Sequence, residues 1–419
     1  MILAIILTFV LSYIIIIFEH PLKINKTASG LIGAVVCWVL YAIFNPDGTE
    51  KVLERLNHHL SDIAQIIFFV LGAMTIVEII DSHKGFKTIT DLIKTNDKKR
   101  LLWLISLMTF FLSSILDNLT TAIIMVSLLR KIIYEKEERM IFSSMVIIAS
   151  NAGGAWSPIG DITTTMLWIG GQISSFNIIK QLFIPSFVSL LVPLIYQSLF
   201  IKGKLTGFDE AEAKMTKAEE GSRRVFFLGL GSLIFVPAFK TLTHLPPYLG
   251  IILCLSIIWV VTDLLHYEYE ERNHLRVTHA LGKIDITSIL FFLGILLSIG
   301  VLESVGILKN LAFWLDNSIG NKDIIVSIIG LASAIIDNVP LVAASMGMYD
   351  LATYPTDSKI WEMLAYCAGT GGSILIIGSA AGVVVMGMEN ISFLWYLKKI
   401  SFMAFLGYLS GLLVFMLLN

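Results

Sequence analysis

The chain has 419 residues, of which 56% are hydrophobic and only 15% are charged, and its net charge is −2. Soluble domains hold about 45–50% apolar and about 25% charged residues, so soluble enzymes, nucleic-acid-binding proteins and disordered chains are excluded. The apolar runs are continuous over roughly 20 residues, which favours membrane helices over a β-barrel. The composition predicts an all-α polytopic membrane protein that contacts the lipid bilayer and binds no nucleic acid.

The apolar runs lie at 1–18, 28–44, 61–80, 101–133, 141–172, 181–201, 225–239, 248–265, 285–302, 324–348, 361–388 and 400–418. Most have the length of one membrane crossing. The first run has no basic segment before it and no small-residue cleavage site, which predicts a retained helix and not a signal peptide. The charged segment 202–224 is predicted to be a cytoplasmic linker between two halves.

The run 101–133 is too long for a single crossing, because as a helix it would measure about 50 Å against a bilayer of about 30 Å. Basic residues flank it on both sides, at 98–100 and at 130–139. Cytoplasmic loops collect Lys and Arg, so both ends are expected to be cytoplasmic. The run is therefore predicted to be a re-entrant hairpin with Asp117 and Asn118 at its tip. If 324–348 is a second hairpin, ten runs cross the membrane.

An internal repeat supports the second hairpin. Residues 113–118 (SSILDN) recur as 333–338 (SAIIDN), and the glycines of 153–160 recur at 371–378. Upstream and downstream landmarks keep the same order and nearly the same spacing. Chance similarity between apolar segments would not preserve polar residues in this way.

Each half then contains five crossings and one hairpin. The first repeat is 1–201, with hairpin 101–133 and broken helix 141–172. The second repeat is 225–419, with hairpin 324–348 and broken helix 361–388. Because five is odd, the second repeat is predicted to have inverted topology, so that the hairpins enter from opposite sides and their tips meet near the midplane. Inverted repeats with broken helices at the midplane are typical of secondary transporters.

Ionisable residues deep in a membrane indicate function, because a buried charge there is costly. Asp117 and Asp337 stand at the two predicted tips, and each is followed by an asparagine and preceded by a serine four residues earlier. The candidate transport residues are Ser113, Asp117, Asn118, Asn151, Ser157, Asp161, Thr163, Thr164, Ser333, Asp337, Asn338, Ser373, Ser379 and Glu78. Carboxylate, amide and hydroxyl oxygens are the ligands that hard cations prefer.

The two halves differ in one carboxylate, because Ser379 stands where the first half has Asp161. A Na⁺ site is predicted at Asp117, Asn118, Asp161, Thr163, Thr164, Asp337 and Asn338. For Glu78, near the end of the run 61–80, a functional and an interfacial role are both open. His83 is predicted to be a loop residue, and His58, His59 and His266 are predicted to lie at the surface.

Four motifs resemble the NhaD-type sodium/proton antiporters of the ion transporter superfamily. They are 113–121 (SSILDNLTT), 150–165 (SNAGGAWSPIGDITTT), 333–340 (SAIIDNVP) and 369–382 (GTGGSILIIGSAAG). The resemblance implies exchange of Na⁺ or Li⁺ for H⁺ across a bacterial inner membrane, without a cofactor, and often in a homodimer. Carboxylate transporters of the superfamily carry Ser-Asn-Thr at the tips, whereas this chain has Asp-Asn-Leu at 117–119 and Asp-Asn-Val at 337–339.

Other functions remain as alternatives. A dicarboxylate transporter must attract an anion to the tips, where two aspartates would repel it. An arsenite exporter of the same superfamily carries a neutral or weakly anionic species and is excluded less firmly. An intramembrane aspartyl protease also needs two aspartates, but the inverted repeat argues against an enzyme. A purely structural scaffold would not need polar residues at the midplane.

Overall fold

The computed structural model describes residues 1–17, 19–45, 48–90, 95–205, 221–266 and 274–419. Most of the predicted linker 202–224, including its acidic residues, lies outside these ranges. The helices of the first half are α1 (Ile2–Ile17), α2 (Glu19–Leu22), α3 (Lys26–Phe44), α4 (Thr49–Ser82), α5 (Lys87–Thr90), α6 (Lys98–Leu116), α7 (Asn118–Ile132), α8 (Lys136–Ala155), α9 (Ile162–Ile169) and α10 (Ser175–Phe200).

The helices of the second half are α11 (Ser222–Thr243), α12 (Pro247–His266), α13 (Val277–Leu281), α14 (Ile286–Ser304), α15 (Ile307–Ile319), α16 (Lys322–Ala332), α17 (Asn338–Met348), α18 (Lys359–Gly371), α19 (Ala380–Glu389), α20 (Phe393–Lys399) and α21 (Ser401–Leu418). Within the described ranges, eight helices are long and apolar enough to cross a membrane, or nine if the bent pair α19–α20 is one span. The chain is thus an all-helical, multi-pass membrane protein.

Helices α6 and α7 form a hairpin whose two ends meet at the start of α8. Lys98, the first residue of α6, pairs with Glu138 in the first turn of α8. Further along, the Ser113 hydroxyl donates to the carbonyl of Ser150 at 2.6 Å, so α6 runs parallel to α8. Only three residues separate the end of α7 from α8, so α7 runs back along the pair. The chain reverses at Asp117, between α6 and α7.

Helices α16 and α17 form a second hairpin with matching contacts. The ammonium group of Lys359, at the start of α18, lies 3.0 Å from the Asp323 carboxylate in the first turn of α16. The Ser333 hydroxyl donates to the carbonyl of Ala368 at 2.9 Å, the counterpart of the Ser113 bond. The Lys322 ammonium group lies 4.6 Å from the ring centre of Tyr349, so both ends of this hairpin also meet.

The bases of the two hairpins lie at opposite ends of the helical core. Glu389, the last residue of α19, accepts from Arg130 at 2.7 Å and from Arg139 at 2.6 Å, at the base of the first hairpin. At the other end of the broken helix α18–α19, the Asp357 carboxylate accepts from the Ser174 amide at 2.6 Å, just after α9. We call the end that holds Lys98, Arg130 and Arg139 the basic end.

Glycines allow the helices of each hairpin to approach their broken helix. A Cβ atom at Gly153 would collide with the backbone of Phe110, and a Cβ atom at Gly371 would collide with the backbone of Gly330. The two glycines are 218 residues apart and the two opposing residues are 220 apart. The spacing that revealed the repeat therefore corresponds to a packing contact that each half makes separately.

Three features differ from the sequence predictions. The run 61–80 is part of the 34-residue helix α4, which begins at Thr49 and so extends well before the predicted run. The segment 303–323, between two apolar runs, contains α15, a helix that the apolar runs did not predict, with Trp314 61% exposed. His266 is not a surface residue: it is buried, and its Nε2 lies 3.0 Å from Nε2 of buried His83. The prediction was wrong there because one histidine covers the other across the ends of α4 and α12.

Candidate functional site

Four helices begin at the centre of the core, each just after a break in the chain. Their N-cap residues are Asp117 for α7, Asp161 for α9, Asp337 for α17 and Ser379 for α19. The N-terminus of a helix carries a partial positive charge and free amide donors, so it favours a carboxylate. This arrangement lowers the cost of placing aspartates inside a membrane protein.

Asp161 connects the two hairpin tips. Its Oδ2 accepts from Nδ2 of Asn118 at 2.7 Å and from Nδ2 of Asn338 at 3.3 Å. Its Oδ1 accepts from the amide and from the hydroxyl of Thr163, both at 2.9 Å. The side chain is buried and every one of these partners is neutral. A small cation or a proton would neutralise the negative charge of the carboxylate, which these neutral partners leave uncompensated.

Asn151 extends this network into the second half of the chain. Its Oδ1 accepts from Asn118 at 3.0 Å, and its Nδ2 lies 2.9 Å from the hydroxyl oxygens of both Ser373 and Ser379. At the equivalent position of the second repeat stands Gly369, where a Cβ atom would lie 3.0 Å from the Cβ of Ala155. A single side chain thus joins the two breaks.

Asp117 and Asp337 differ although their sequences match. The Asp117 carboxylate caps α7, since it accepts from the Thr120 amide and the Thr120 hydroxyl, each at 2.8 Å. The backbone at Asp117 has a φ of +92°, which is uncommon for a residue other than glycine and marks the sharp reversal at the tip. Asp337 makes no side-chain capping bond to α17. Its carboxylate is therefore less engaged by its own helix.

A cavity of about 60 Å³ lies between the tips and the neighbouring helices. A few water molecules would fit such a volume. Asp117, Asp161 and Asp337 are the charged residues among the described side chains that line it. The facing wall is mostly apolar and comes from α4, α11, α12 and α14, with Phe69, Val70, Leu233, Ile251 and Phe292.

The structure brings most of the predicted residues together. Asp117, Asn118, Asp161, Asp337 and Asn338 line the cavity, and Thr163, Asn151, Ser373 and Ser379 join it by the hydrogen bonds described above. The hydroxyl groups of Ser113 and Ser333 are used for helix packing.

Three predicted residues lie apart from the carboxylate cluster. The Thr164 hydroxyl donates to the backbone carbonyl of Asp161 at 2.9 Å and not to its carboxylate. The Ser157 hydroxyl lies 3.4 Å from the amide of Ile159, within the break. Glu78 does not line the cavity; it lies near the basic end, where its carboxylate is 3.4 Å from the ammonium group of Lys283.

Three residues of the site were not predicted from the sequence: Thr120, Phe69 and Phe292. Thr120 holds the Asp117 carboxylate, and its position three residues after an N-cap is a recognisable capping signal. Phe69 and Phe292 line the cavity from α4 and α14. Phe68-Phe69 recurs as Phe291-Phe292, 223 positions later, so the repeat itself carried a signal for them.

Comparisons with known proteins agree with this description. The sequence model of the citrate transporter (CitMHS) family matches residues 13–361. The chain is 52% identical over 413 residues to "Sodium/proton antiporter 2" of Arabidopsis thaliana, covering 98% of each chain. It is 29% identical over 446 residues to "Na(+)/H(+) antiporter NhaD" of Halomonas elongata, covering 98% of this chain and 87% of that protein. The resemblance that the motifs predicted is confirmed, and the chain belongs to the CitMHS family of membrane transporters.

Proposed function

We propose that the protein is a secondary transporter that exchanges Na⁺ or Li⁺ for H⁺. The observation that carries the proposal is the Asp161 carboxylate, which bonds the asparagine of both tips and shares one cavity with Asp117 and Asp337. The antiporter names of the plant and bacterial relatives support it. No bound cofactor is needed, because the transported ions themselves supply the charge.

Competition for the carboxylates would couple the two ions. Three ionised carboxylates cannot share a dry site, because like charges this close raise the free energy of the fully ionised state. At least one is therefore protonated when no cation is bound. A Na⁺ ion that enters displaces the proton, and a proton that returns displaces Na⁺.

Asp161 would contribute mainly to cation binding, because Thr163 and both tip asparagines orient its oxygens. Asp117 and Asp337 would hold the proton and the cation in turn. Asp337 suits the exchange best, since no capping bond to α17 has to break when it binds an ion.

Alternating access would come from movement of the two hairpins and broken helices against α4, α11, α12 and α14. The position of the cavity between these two groups supports this idea. Leu119 and Val339 are equivalent residues next to the two tip asparagines, and both line the cavity.

Cysteine labelling from each face of the membrane tests this access. The background would lack the three native cysteines, which are buried. Because both residues line the same cavity, we expect Leu119→Cys and Val339→Cys to react from the same face in any one conformation and from both faces while the protein cycles. A position that reacted from one face alone during cycling would contradict alternating access.

We further propose a bacterial inner membrane as the location, with the basic end in the cytoplasm, and a homodimer as the assembly. The concentration of Lys and Arg at the basic end supports the orientation. The NhaD relatives come from bacteria, whereas the two 52% identical relatives come from a plant. Crosslinking in native membranes tests the homodimer. Reporter fusions to the C-terminus test the orientation in the membrane.

The functional test is a pH-gradient dequenching assay in everted membrane vesicles. Na⁺ and Li⁺ should release the acid-quenched fluorescence, and K⁺ and succinate should not. A response to succinate without one to Na⁺ would favour the alternative, an anion transporter as the family name suggests. The cavity argues against that outcome, because its three aspartates would repel a dicarboxylate. Absence of any response to Na⁺ or Li⁺ at every pH between about 6 and 9 would refute the proposal.

A further inference from the structure

An open surface groove lies far from the carboxylates, at the basic end of α6. It has a volume of about 750 Å³ and is formed by the start of α6 and the segment that follows α10. We define the basic groove by six of its residues: Lys99, Arg100, Trp103, Leu104, Leu107 and Lys202. Such a volume is large enough for a ligand the size of a lipid headgroup.

The walls of the basic groove are held together by the backbone. The Lys98 amide donates to the carbonyl of Gly203 at 3.1 Å, and the Leu205 amide donates to the carbonyl of Asn96 at 2.8 Å. Gly203 has a φ of +95°, a conformation that suits glycine, so the segment after α10 can turn alongside α6. The groove is therefore part of the fold and not a gap between loose chain ends.

The charge of the basic groove is positive. Lys99, Arg100 and Lys202 line it, and Asp97 is the acidic residue among the described lining groups. The Asp97 carboxylate is already engaged, because it caps α6 by accepting from the Arg100 amide at 2.8 Å. Lys98 points elsewhere and pairs with Glu138. Three cationic side chains thus line the groove, and the one carboxylate beside them is already hydrogen-bonded to its own helix.

An apolar stripe continues from the charged part of the groove along α6. Arg100, Leu104, Leu107 and Phe111 are spaced by three or four residues, which places them on one face of the helix. Phe111 is 48% exposed, and Phe200 beside the groove is 67% exposed. From Arg100 to Phe111 the helix rises about 16 Å, close to the half-thickness of a bilayer of about 30 Å.

We propose that the basic groove binds the headgroup of an anionic phospholipid, whose acyl chains lie along the stripe that ends at Phe111. Lys99, Arg100 and Lys202 would contact the phosphate. Trp103 lies between the charges and the apolar stripe, at the level where tryptophan is enriched in membrane proteins. Basic clusters of this kind at the cytoplasmic side of membrane helices attract anionic lipids.

Native mass spectrometry of the full-length protein in mild detergent tests the site, with phosphatidylglycerol and phosphatidylcholine as the probes. We expect phosphatidylglycerol to bind at about 100-fold lower concentration, since each of the three basic residues near an anionic headgroup contributes a factor of about five. The variant Lys99→Gln/Arg100→Gln/Lys202→Gln should bind both lipids equally. Equal binding of the two lipids by the unmodified protein would overturn the proposal.

The control is Lys398→Gln/Lys399→Gln, which removes two consecutive lysines. Both lie at exposed positions on α20 and do not line the groove. This control should leave the preference for phosphatidylglycerol intact, and a comparable loss there would mean that net charge alone decides. If the triple variant fails to fold, Arg100→Gln alone should weaken phosphatidylglycerol binding about fivefold while phosphatidylcholine binding stays unchanged. No change in either variant would refute the site.

Two other occupants are distinguished in the same experiment. Displacement of phosphatidylglycerol by excess inorganic phosphate would identify a free-anion site and overturn the lipid assignment. The acidic residues 209–212 of the linker are another source of negative charge. If phosphatidylglycerol binds only after Asp209, Glu210 and Glu212 are changed to their amides, the linker and not a lipid occupies the groove.

Discussion

The two halves of the site share their backbone contacts and differ in their chemistry. In both halves a serine near the hairpin tip bonds a carbonyl of the broken helix, and a glycine of that helix packs against the hairpin. In the first half, Asp161 stands at the N-terminus of α9, the second part of the broken helix. In the second half, Ser379 stands at the equivalent N-terminus, that of α19. One half supplies the carboxylate that joins the tips, and the other supplies hydroxyl groups that bind Asn151.

This difference shows which parts of a repeat are constrained by packing and which by ion chemistry. The glycines and tip serines hold the helices together, so both halves need them. The charged groups can differ, because two halves that face one cavity form a single site. A second aspartate in place of Ser379 would add a fourth carboxylate and raise the repulsion within the cavity.

The largest expected effect concerns the shared packing. Gly153→Ala and Gly371→Ala should each destabilise the protein by about 3 kcal/mol or more, because the new methyl group would meet backbone atoms that cannot move aside. The measurement is the yield of monodisperse protein in size-exclusion chromatography. Gly387→Ala in α19 is the control, since nothing lies within 4 Å of its Cβ position. Tolerance of alanine at only one of the two sites would show that the halves are not packed alike.

The next effect concerns the carboxylate that only the first half supplies. Asp161→Asn should lower Na⁺-driven exchange by roughly 100-fold or more, because an amide cannot accept from Asn118, Asn338 and Thr163 at once and two buried donors lose their acceptor. Dequenching in everted vesicles measures the loss. Asp350→Asn, at an exposed position, should retain normal exchange. Activity of Asp161→Asn near that of the unchanged protein would remove Asp161 from the site.

Asp117 and Asp337 should differ in stability but not in function. Both Asp117→Asn and Asp337→Asn should abolish exchange with normal amounts of folded protein, because asparagine keeps the shape and removes the titratable charge. Asp117→Ala should further destabilise the fold by about 1 kcal/mol through loss of the α7 cap. Asp337→Ala should destabilise it less, since it makes no capping bond.

Thermal unfolding in detergent measures this difference between the two alanine variants. Equal melting temperatures would contradict the distinction between a capping and a non-capping aspartate. Exchange that survives in either asparagine variant would show that the tips are not the site.

The smallest effect separates two neighbouring threonines. Thr163→Ala should raise the Na⁺ concentration for half-maximal exchange about five- to tenfold, because its hydroxyl bonds the Asp161 carboxylate. Thr164→Ala should change that concentration by less than about twofold, since its hydroxyl bonds a backbone carbonyl. Titration of Na⁺ at a constant pH measures both variants. A larger effect from Thr164 would indicate that its hydroxyl turns toward the ion during transport.

The sequence alone determined the membrane class and the family, and it placed Asp117 and Asp337 at positions where helices begin after a break. These features depend on local signals: the length of apolar runs, the position of Lys and Arg, and the spacing of recurring glycines and aspartates. Inside a membrane the backbone amide and carbonyl groups of a segment must be hydrogen-bonded within a helix. This requirement produces long apolar runs and restricts helix breaks to particular residues, so both can be recognised in the sequence.

Only the tertiary structure decided how the polar groups pair. Asp161 bonds residues that are 43 and 177 positions away along the chain, and no local pattern shows that it, and not a tip aspartate, joins the two hairpins. No local pattern shows that the Asp337 carboxylate makes no capping bond, or that His266 is buried against His83. The basic groove between α6 and the segment after α10 is likewise visible only in the folded chain. A hydrogen bond depends on distance and direction in space, so partners that are far apart in sequence become known only when the chain is folded.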